Sequence, residues 1–422
     1  VKKEIEWSAH NKIVYLDCAD SNFGIVDRDI NFAKWIAKAK VQTGYPKMFN
    51  FTSAKNQPKN VENIQAILGK SGIDRGISIS LQSFRDQTLQ AIKRFNQPKG
   101  QLDLTIKDYK QRGLESFVEL ILGLPNESFQ SWSEGIDSLT KKDYNGVILI
   151  HPLSIVPNTP FSNREYQERY GLLYTKTRSP AQGFNYGTES SQERETICYG
   201  SSSMTPDEWQ NSYLYGKCLI GAQYYHGLSY YLAEFLWRQK ALSPGQFFLK
   251  MLNEKLGDSS SIVGHDLSEA KKLLQESLFE LRPWGRQVLA PEKFYWSDQA
   301  ASAIFLLTHE REYFREMRTF ITDLYPEIEE ELIDDLISFN QSSLKKPFQK
   351  ASYVKKFNFD WPSYFFHGKP LKKMTTEVEF VGPQWTSHRD HGLHTYWFGR
   401  KNRRCFMEIK GTRHYEQVSQ PL

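Results

Sequence analysis

The chain has 422 residues, enough for two or three domains with a large core, and its 39% hydrophobic and 24% charged content reads as a soluble globular protein. The net charge of +5 permits an anionic ligand, but no dense Lys/Arg stripe recurs, so nucleic acid is not expected as a partner. No run of about 18 apolar residues suggests a membrane span, and the opening VKKEIEW lacks the apolar region of a signal peptide, so a cytoplasmic protein is expected.

From residue 12 to about 152, short apolar runs alternate with helical patterns. "KIVYLD" (12–17) reads as a buried strand, followed by a helix over 27–44 with Asp27 as its N-cap and Gly44 as its stop. "PKMFNFT" (46–52) reads as a second strand, 59–72 as a helix and "GISISLQS" (76–83) as a third strand. Helical patterns follow at 86–95 and 102–113. "SFVELILG" (116–123) is a fourth strand, 128–143 a helix capped by Ser128, and "GVILIHP" (146–152) a fifth strand. This alternation implies βαβ units and a parallel sheet, doubly wound or barrel-like. No GxGxxG follows the first strand, which disfavours a dinucleotide site.

Beyond 152, three prolines mark a long ordered loop leading to a short helix, and residues 175–205 are polar and rich in Gly and Ser. Residues 206–240 read as one long aromatic-rich helix, or two with a break near Gly227. The aromatics of 224–237 read as core rather than as the lining of a channel. An acidic amphipathic helix is expected over 324–336. The last 50 residues return to strand patterns at 376–382, 394–400 and 404–411, the last two as a hairpin turning at 400–403. The expected organisation is 1–180 as a partial barrel, 181–205 as a linker, 206–345 as a helical region and 346–422 as a mixed extension.

In a parallel α/β protein, ligands bind at the C-terminal ends of the strands. The first strand ends in Asp17, Asp20, Asn22 and the Phe23-Gly24 turn, and the third in Gln82 and Ser83. The fourth ends in Gly123-Leu124-Pro125 with Asn126 and Glu127, and the fifth in His151. Taken singly, Asp20 and Asn22 could cap a turn, Gly123-Leu124-Pro125 could be a tight connection, and Gln82 could bond a neighbouring backbone. Their joint occurrence after four of five strands points to a site.

The ordered set "DCADSNFGIVDRD", "GYPK", "GISISLQSFRDQTLQAIKR" and "ELILGLPNESFQSW" resembles the radical SAM enzymes, specifically the class that carries a cobalamin-binding domain. The resemblance covers residues 1–180. It implies an α/β fold: a partial (β/α) TIM-like barrel with five of six strands, then a mainly helical region ending in a small β-hairpin. It implies S-adenosylmethionine (SAM), a [4Fe–4S] cluster and cobalamin as cofactors, with a small-molecule or peptide substrate. The methionine amine would fall to Asp20 with Asn22, beside the turn at Phe23 and Gly24. Ser80 and Gln82 would offer polar groups, and Gly123 with Leu124 would admit the adenine. Arg28, at a helix start, is a weaker candidate. The complete enzyme would cleave SAM to a 5′-deoxyadenosyl radical or pass a methyl group through cobalamin.

One departure is large. The family's CxxxCxxC cluster motif is absent, since Cys18, Cys198, Cys218 and Cys405 lie far apart and read as reduced thiols. The missing sixth strand has the same explanation if the first strand and its cysteine loop precede this sequence. A relative that has lost its cluster, kept as a non-catalytic binding module, is the alternative, and a cluster-independent TIM-like enzyme is a third. "SHRDHGLH" gathers His388, Asp390, His391 and His394, but no helix or strand period fits all four, so a polar loop is expected and no metal ligand is assigned.

Overall fold

In the computed structural model, which describes residues 1–54, 58–73, 77–94, 101–111, 116–142, 144, 146–179, 193–288, 295–344, 352–381 and 407–415, the early alternation of strand and helix is present. It runs α1 (Lys2–His10), β1 (Tyr15–Asp17), α2 (Arg28–Thr43), β2 (Met48–Asn50), α3 (Pro58–Lys70), β3 (Ile77–Gln82), α4 (Asp86–Ala91), α5 (Gln101–Gln111), β4 (Ser116–Leu122), α6 (Phe129–Thr140) and β5 (Val147–Pro152). All strand pairing in this region is parallel, as the alternation requires. No single five-stranded sheet is formed among the described residues, however. Among the described residues β1 pairs with β2, β3–β4–β5 form a separate sheet, and no ladder joins β2 to β3. The described residues thus show two parallel sheets, and the expected partial barrel is not seen among them as one continuous sheet. β1 and β2 are three residues long, too short to carry a long ladder.

Local signals explain the helix ends. Ser128 accepts from the Ser131 amide while the Ser131 hydroxyl accepts from the Ser128 amide, a reciprocal cap that starts α6. Gly44 takes φ 78° and closes α2. Asp27 is not the side-chain cap expected for α2: its carboxylate accepts from Asn60 instead.

After α7 (Arg164–Tyr170), strands β6 (Leu173–Arg178) and β7 (Arg194–Gly200) pair antiparallel. The stretch expected to be a linker over 181–205 thus contains a strand. Then come α8 (Pro206–Tyr213), a π-helix (Leu214–Gly221), α9 (Ala222–His226), α10 (Tyr230–Lys240), α11 (Pro244–Lys255), α12 (Ile262–Phe279), α13 (Asp298–Thr308), α14 (Glu310–Leu324) and α15 (Glu330–Ser343). The break near Gly227 is present, with φ 69° at that residue. The acidic helix expected over 324–336 is corrected: α14 ends at Leu324, and α15 begins only at Glu330, because Pro326 cannot supply a backbone N–H to a continuing helix.

The chain closes with β8 (Ser352–Phe359), α16 (Trp361–His367), β9 (Lys373–Val381) and β10 (Glu408–Tyr415), an antiparallel sheet in the order β10-β9-β8. The first strand and turn of the expected terminal hairpin lie outside the described residues, as does the His388–His394 cluster.

The main core is shared. Leu120, Ile148 and Trp132 of the β3–β5 region pack in one apolar cluster with Leu214, Tyr215 and Phe247 of the helical region and Phe357 and Phe380 of the last sheet. The aromatics of 224–237 join it: Tyr224, Tyr231 and Phe235 are buried. A second, smaller core gathers eleven buried residues between Ile5 and Ile73, with Phe23, Phe49 and Phe51 in ring contact.

Candidate functional site

At the end of β1 the chain turns on short-range hydrogen bonds. Asp20 Oδ1 accepts from the Asn22 amide at 2.8 Å, an Asx turn that leaves both side chains exposed. Phe23 continues the parallel pairing through a bridge to Ser53, and its ring is buried. Gly24 follows at φ 96°, and a Cβ there would lie 3.1 Å from Val61 Cγ2. Its amide donates to the buried Asp29 carboxylate at 2.8 Å. Phe23 and Gly24 are thus held by the fold, while Asp20 and Asn22 remain open to a ligand. Arg28 keeps 73% of its side chain exposed, 3.8 Å from Asp29, and is largely solvated.

At the end of β3 the register against β4 shifts between Ser80 and Gln82, and Gln82 takes φ 66°. This irregularity turns the chain so that Ser83 Oγ donates to Glu127 Oε1 at 2.5 Å, linking the ends of β3 and β4. Glu127 is 1% exposed. Burial pushes its carboxyl up to about 7, against the opposing effects of the Ser83 hydrogen bond and the Arg85 guanidinium. Its second oxygen, Oε2, has no hydrogen-bond partner among the described residues.

Gly123 takes φ 94° immediately after β4, and a Cβ there would come 2.9 Å from Trp209 Nε1. That indole N–H is buried and likewise without a partner among the described residues. Leu124 is buried with Leu153, Ile155, Leu172 and Cys198. The turn after β4 is therefore packed under α8 and β7, and it carries two unsatisfied polar atoms on its surroundings, one acceptor and one donor. Asp20 and Asn22 share no hydrogen bond or ion pair with Gln82, Gly123 or Leu124 among the described residues.

The register pairs Ser80 with Glu119 and Glu119 with Leu149. Glu119 and His151, two positions further along β5, lie on one face, with His151 Nε2 3.9 Å from Glu119 Oε1. Crowding by the protein and the Lys217 ammonium push the imidazole below its usual range, with Glu119 opposing them, so the ring is neutral at pH 7. The His151 side chain still exposes 55% of its surface. Glu119 and Lys217 are functional candidates that the strand-end reading passed over. Both carried a signal, since each is the single charged residue of an otherwise apolar element.

Among the described residues no three His, Cys, Asp or Glu side chains are grouped as metal ligands. Burial holds the thiols of Cys198 and Cys218 up, to about 11 and about 12, so both are protonated and inert.

No family model matches the chain. It is 25% identical over 385 residues to the cobalamin-dependent radical SAM methyltransferase TokK of Streptomyces tokunonensis, a similarity that covers 87% of this chain and 56% of the relative. It is 25% identical over 403 residues to the 2-(S-pantetheinyl)-carbapenam-3-carboxylate methyltransferase of Streptantibioticus cattleyicolor, covering 90% of this chain and 58% of the relative. The chain thus spans somewhat more than half the length of these relatives. A solved structure of the radical SAM methyltransferase TsrM from Kitasatospora setae, with tryptophan and a SAM analogue bound, overlaps 50% of this chain and 44% of its own at 17% identity and a TM-score of 0.34. The resemblance to cobalamin-using radical SAM enzymes, read from residues 1–180, is matched by relatives whose similarity runs through nearly the whole chain.

Proposed function

We propose that this chain is the SAM- and substrate-binding portion of a cobalamin-dependent radical SAM methyltransferase that acts on a small carboxylate-bearing molecule. The observation that carries the reading is the extent of the similarity: it reaches 87% and 90% of the chain and so includes the helical half as well as the strand–helix alternation. One of the two relatives bears a carboxylate in the name of its substrate. When bound, SAM, cobalamin and the [4Fe–4S] cluster supply the methyl group, its carrier and one-electron chemistry.

The residues fit SAM in two respects. Asp20 and Asn22 present an exposed carboxylate and amide suited to an ammonium. The turn at Gly123 has Trp209 Nε1 beside it and the Glu127 carboxyl beyond it, both short of a partner, as a polar ligand edge would require. In this reading the two parallel sheets are arcs of one barrel mouth, Ser80 and Gln82 approach the ligand from β3, and Gly123 with Leu124 backs the adenine. The residues do not fit the cluster. The described cysteines are scattered, two are buried and protonated, and the cluster thiolates would have to come from other sequence. No step through the cluster is assigned to this chain.

The test uses the complete protein, reconstituted anaerobically with iron, sulfide and cobalamin and given SAM with a deuterated methyl group. Transfer of that methyl to a carboxylate substrate is expected. Equilibrium dialysis of the 422-residue chain should show that Asp20→Ala weakens SAM binding while Lys369→Ala leaves it unchanged. SAM binding without any methyl transfer by the complete protein would favour the binding-module reading. Equal binding by both variants would remove Asp20 from the site.

A further inference from the structure

The segment from Asp20 to Asp29 joins the end of β1 to the start of α2 and carries carboxylates of two kinds. Asp20 and Asp27 are exposed, whereas Asp29 is 1% exposed. The residues between them are fastened one to the next. The Asn22 amide donates to Asp20 Oδ1 at 2.8 Å, and the Ile25 amide to the Asn22 carbonyl at 3.0 Å. Inside that turn, the Phe23 amide donates to the Thr52 carbonyl at 2.9 Å and the Gly24 amide to Asp29 Oδ2 at 2.8 Å. A continuous run of contacts thus leads from buried Asp29, through Gly24 and the turn over 22–25, to the exposed Asn22 and Asp20.

Asp29 does not cap the helix it sits in. At the start of α2 the Asp29 amide donates to the Val26 carbonyl at 3.1 Å and the Ile30 amide to the Asp27 carbonyl at 3.2 Å, so backbone carbonyls serve these first helical donors. The Asp29 carboxylate instead reaches five residues back, outside the helix, to a buried amide. That amide belongs to the residue on which the loop turns. Gly24 stands at φ 96°, and the space for a Cβ is closed by Val61 Cγ2 at 3.1 Å and Ile64 Cδ1 at 3.2 Å. Arg28 Nε lies 3.8 Å from Asp29 Oδ1 but keeps 73% of its side chain exposed, so the amide is the stronger partner. Removal of the carboxylate would strand the Gly24 N–H as a buried donor, and the turn would have to open to hydrate it.

We propose that Asp29 is a positioning residue for the ligand's ammonium group: it fixes the Gly24 turn, and through that turn the placement of the Asp20 carboxylate and the Asn22 amide side chain. This rests on the SAM-binding reading for the identity of the ligand. Asp29 is buried and acts only through the residues it holds. Its influence is confined to the end of the ligand that meets the loop after β1. The Gly123 turn, on the adenine side, follows β4 of the other sheet and is held by other contacts. Asp29 therefore discriminates between the two ends of one ligand, which general loosening of the fold does not.

The experiment compares two ligands on the 422-residue chain by equilibrium dialysis: SAM, which carries the ammonium, and 5′-methylthioadenosine, which lacks the amino-acid portion. Asp29→Ala should weaken SAM about tenfold, a loss of about 1.4 kcal/mol, and leave 5′-methylthioadenosine within about twofold. Asp29→Asn, which keeps an acceptor for the Gly24 amide, should recover most of the SAM affinity. In an Asp20→Ala background the Asp29→Ala change should add little, because it acts through the group already removed. Should Asp29→Ala not fold, Asp29→Ser carries the same comparison. Equal losses for both ligands, no loss for SAM, or full additivity with Asp20→Ala overturns the proposal. A wild-type chain that binds neither ligand retires the SAM reading and this inference together. Binding of both ligands without the selective loss retires this inference alone.

Discussion

The fold opposes the ionisation of Glu127, and the sign of its pH effect follows directly. Its carboxyl titrates near 4.5 when exposed and at about 7 in the folded chain. The folded state therefore holds the proton more tightly, and the contribution to stability is complete below pH 4.5 and lost as pH rises through 7. Above that point the difference is on the order of 3 kcal/mol. Glu127→Gln, which keeps an acceptor for Ser83 and removes the charge, should raise the melting temperature clearly at pH 8 and little at pH 4. A pH-independent difference between variant and wild type would mean that Glu127 is not strained by ionisation. Gly123 gives a second expectation. An alanine there meets Trp209 and must hold φ near 94°, so Gly123→Ala should cost about 1–3 kcal/mol in urea unfolding, before any ligand is added.

Elements were legible where one local signal decides them. The five early strands are apolar runs bounded by polar or glycine punctuation, and Ser128 announces α6 with a cap whose loss in Ser128→Ala should cost about 1 kcal/mol in thermal unfolding. Gly227 marked the helix break because a left-handed residue ends a helix without steric cost. What escaped the sequence depends on partners distant along the chain. The β6–β7 pair has its second strand in a stretch whose polar, Gly- and Ser-rich composition resembles a linker, and its pairing is set by the partner strand rather than by its own composition. The π-helix has the composition of an ordinary buried helix. The split between the two parallel sheets has no signature at all, since strand periodicity says nothing about which strands meet. At the candidate site, Asp20, Asn22, Gln82 and Gly123 stand at strand ends, where topology placed them. The Trp209 indole over Gly123 comes from the helical half and could not be read from strand ends. Buried ion pairs behave likewise. Arg286 joins Asp266 of α12 to Asp298 of α13, and Arg286→Met should cost about 3–5 kcal/mol by stranding two buried carboxylates, as chemical denaturation would show.

Taken as a whole molecule, these 422 residues should bind ligands without performing radical chemistry. Anaerobic incubation of the purified chain with iron, sulfide, SAM and a strong reductant should yield neither [4Fe–4S] absorbance nor 5′-deoxyadenosine, because the described thiols are not grouped around one metal site. Stoichiometric cluster formation with nucleoside release would place the ligands within this chain after all. The division into a large core and a core of eleven residues between Ile5 and Ile73 reaches further. Two cores with little shared burial need not open together, and the smaller one sets a lower free energy for sub-global opening. Deuterium uptake should therefore advance through α2 and α3 well before α13 and α15. Asp20 and Asn22 sit on the part that opens first, while Gly123 and Trp209 sit on the part that opens last. A ligand that spans both would slow exchange chiefly in residues 1–73, so that the amide clock of the weaker half reads out occupancy of a site anchored in the stronger one.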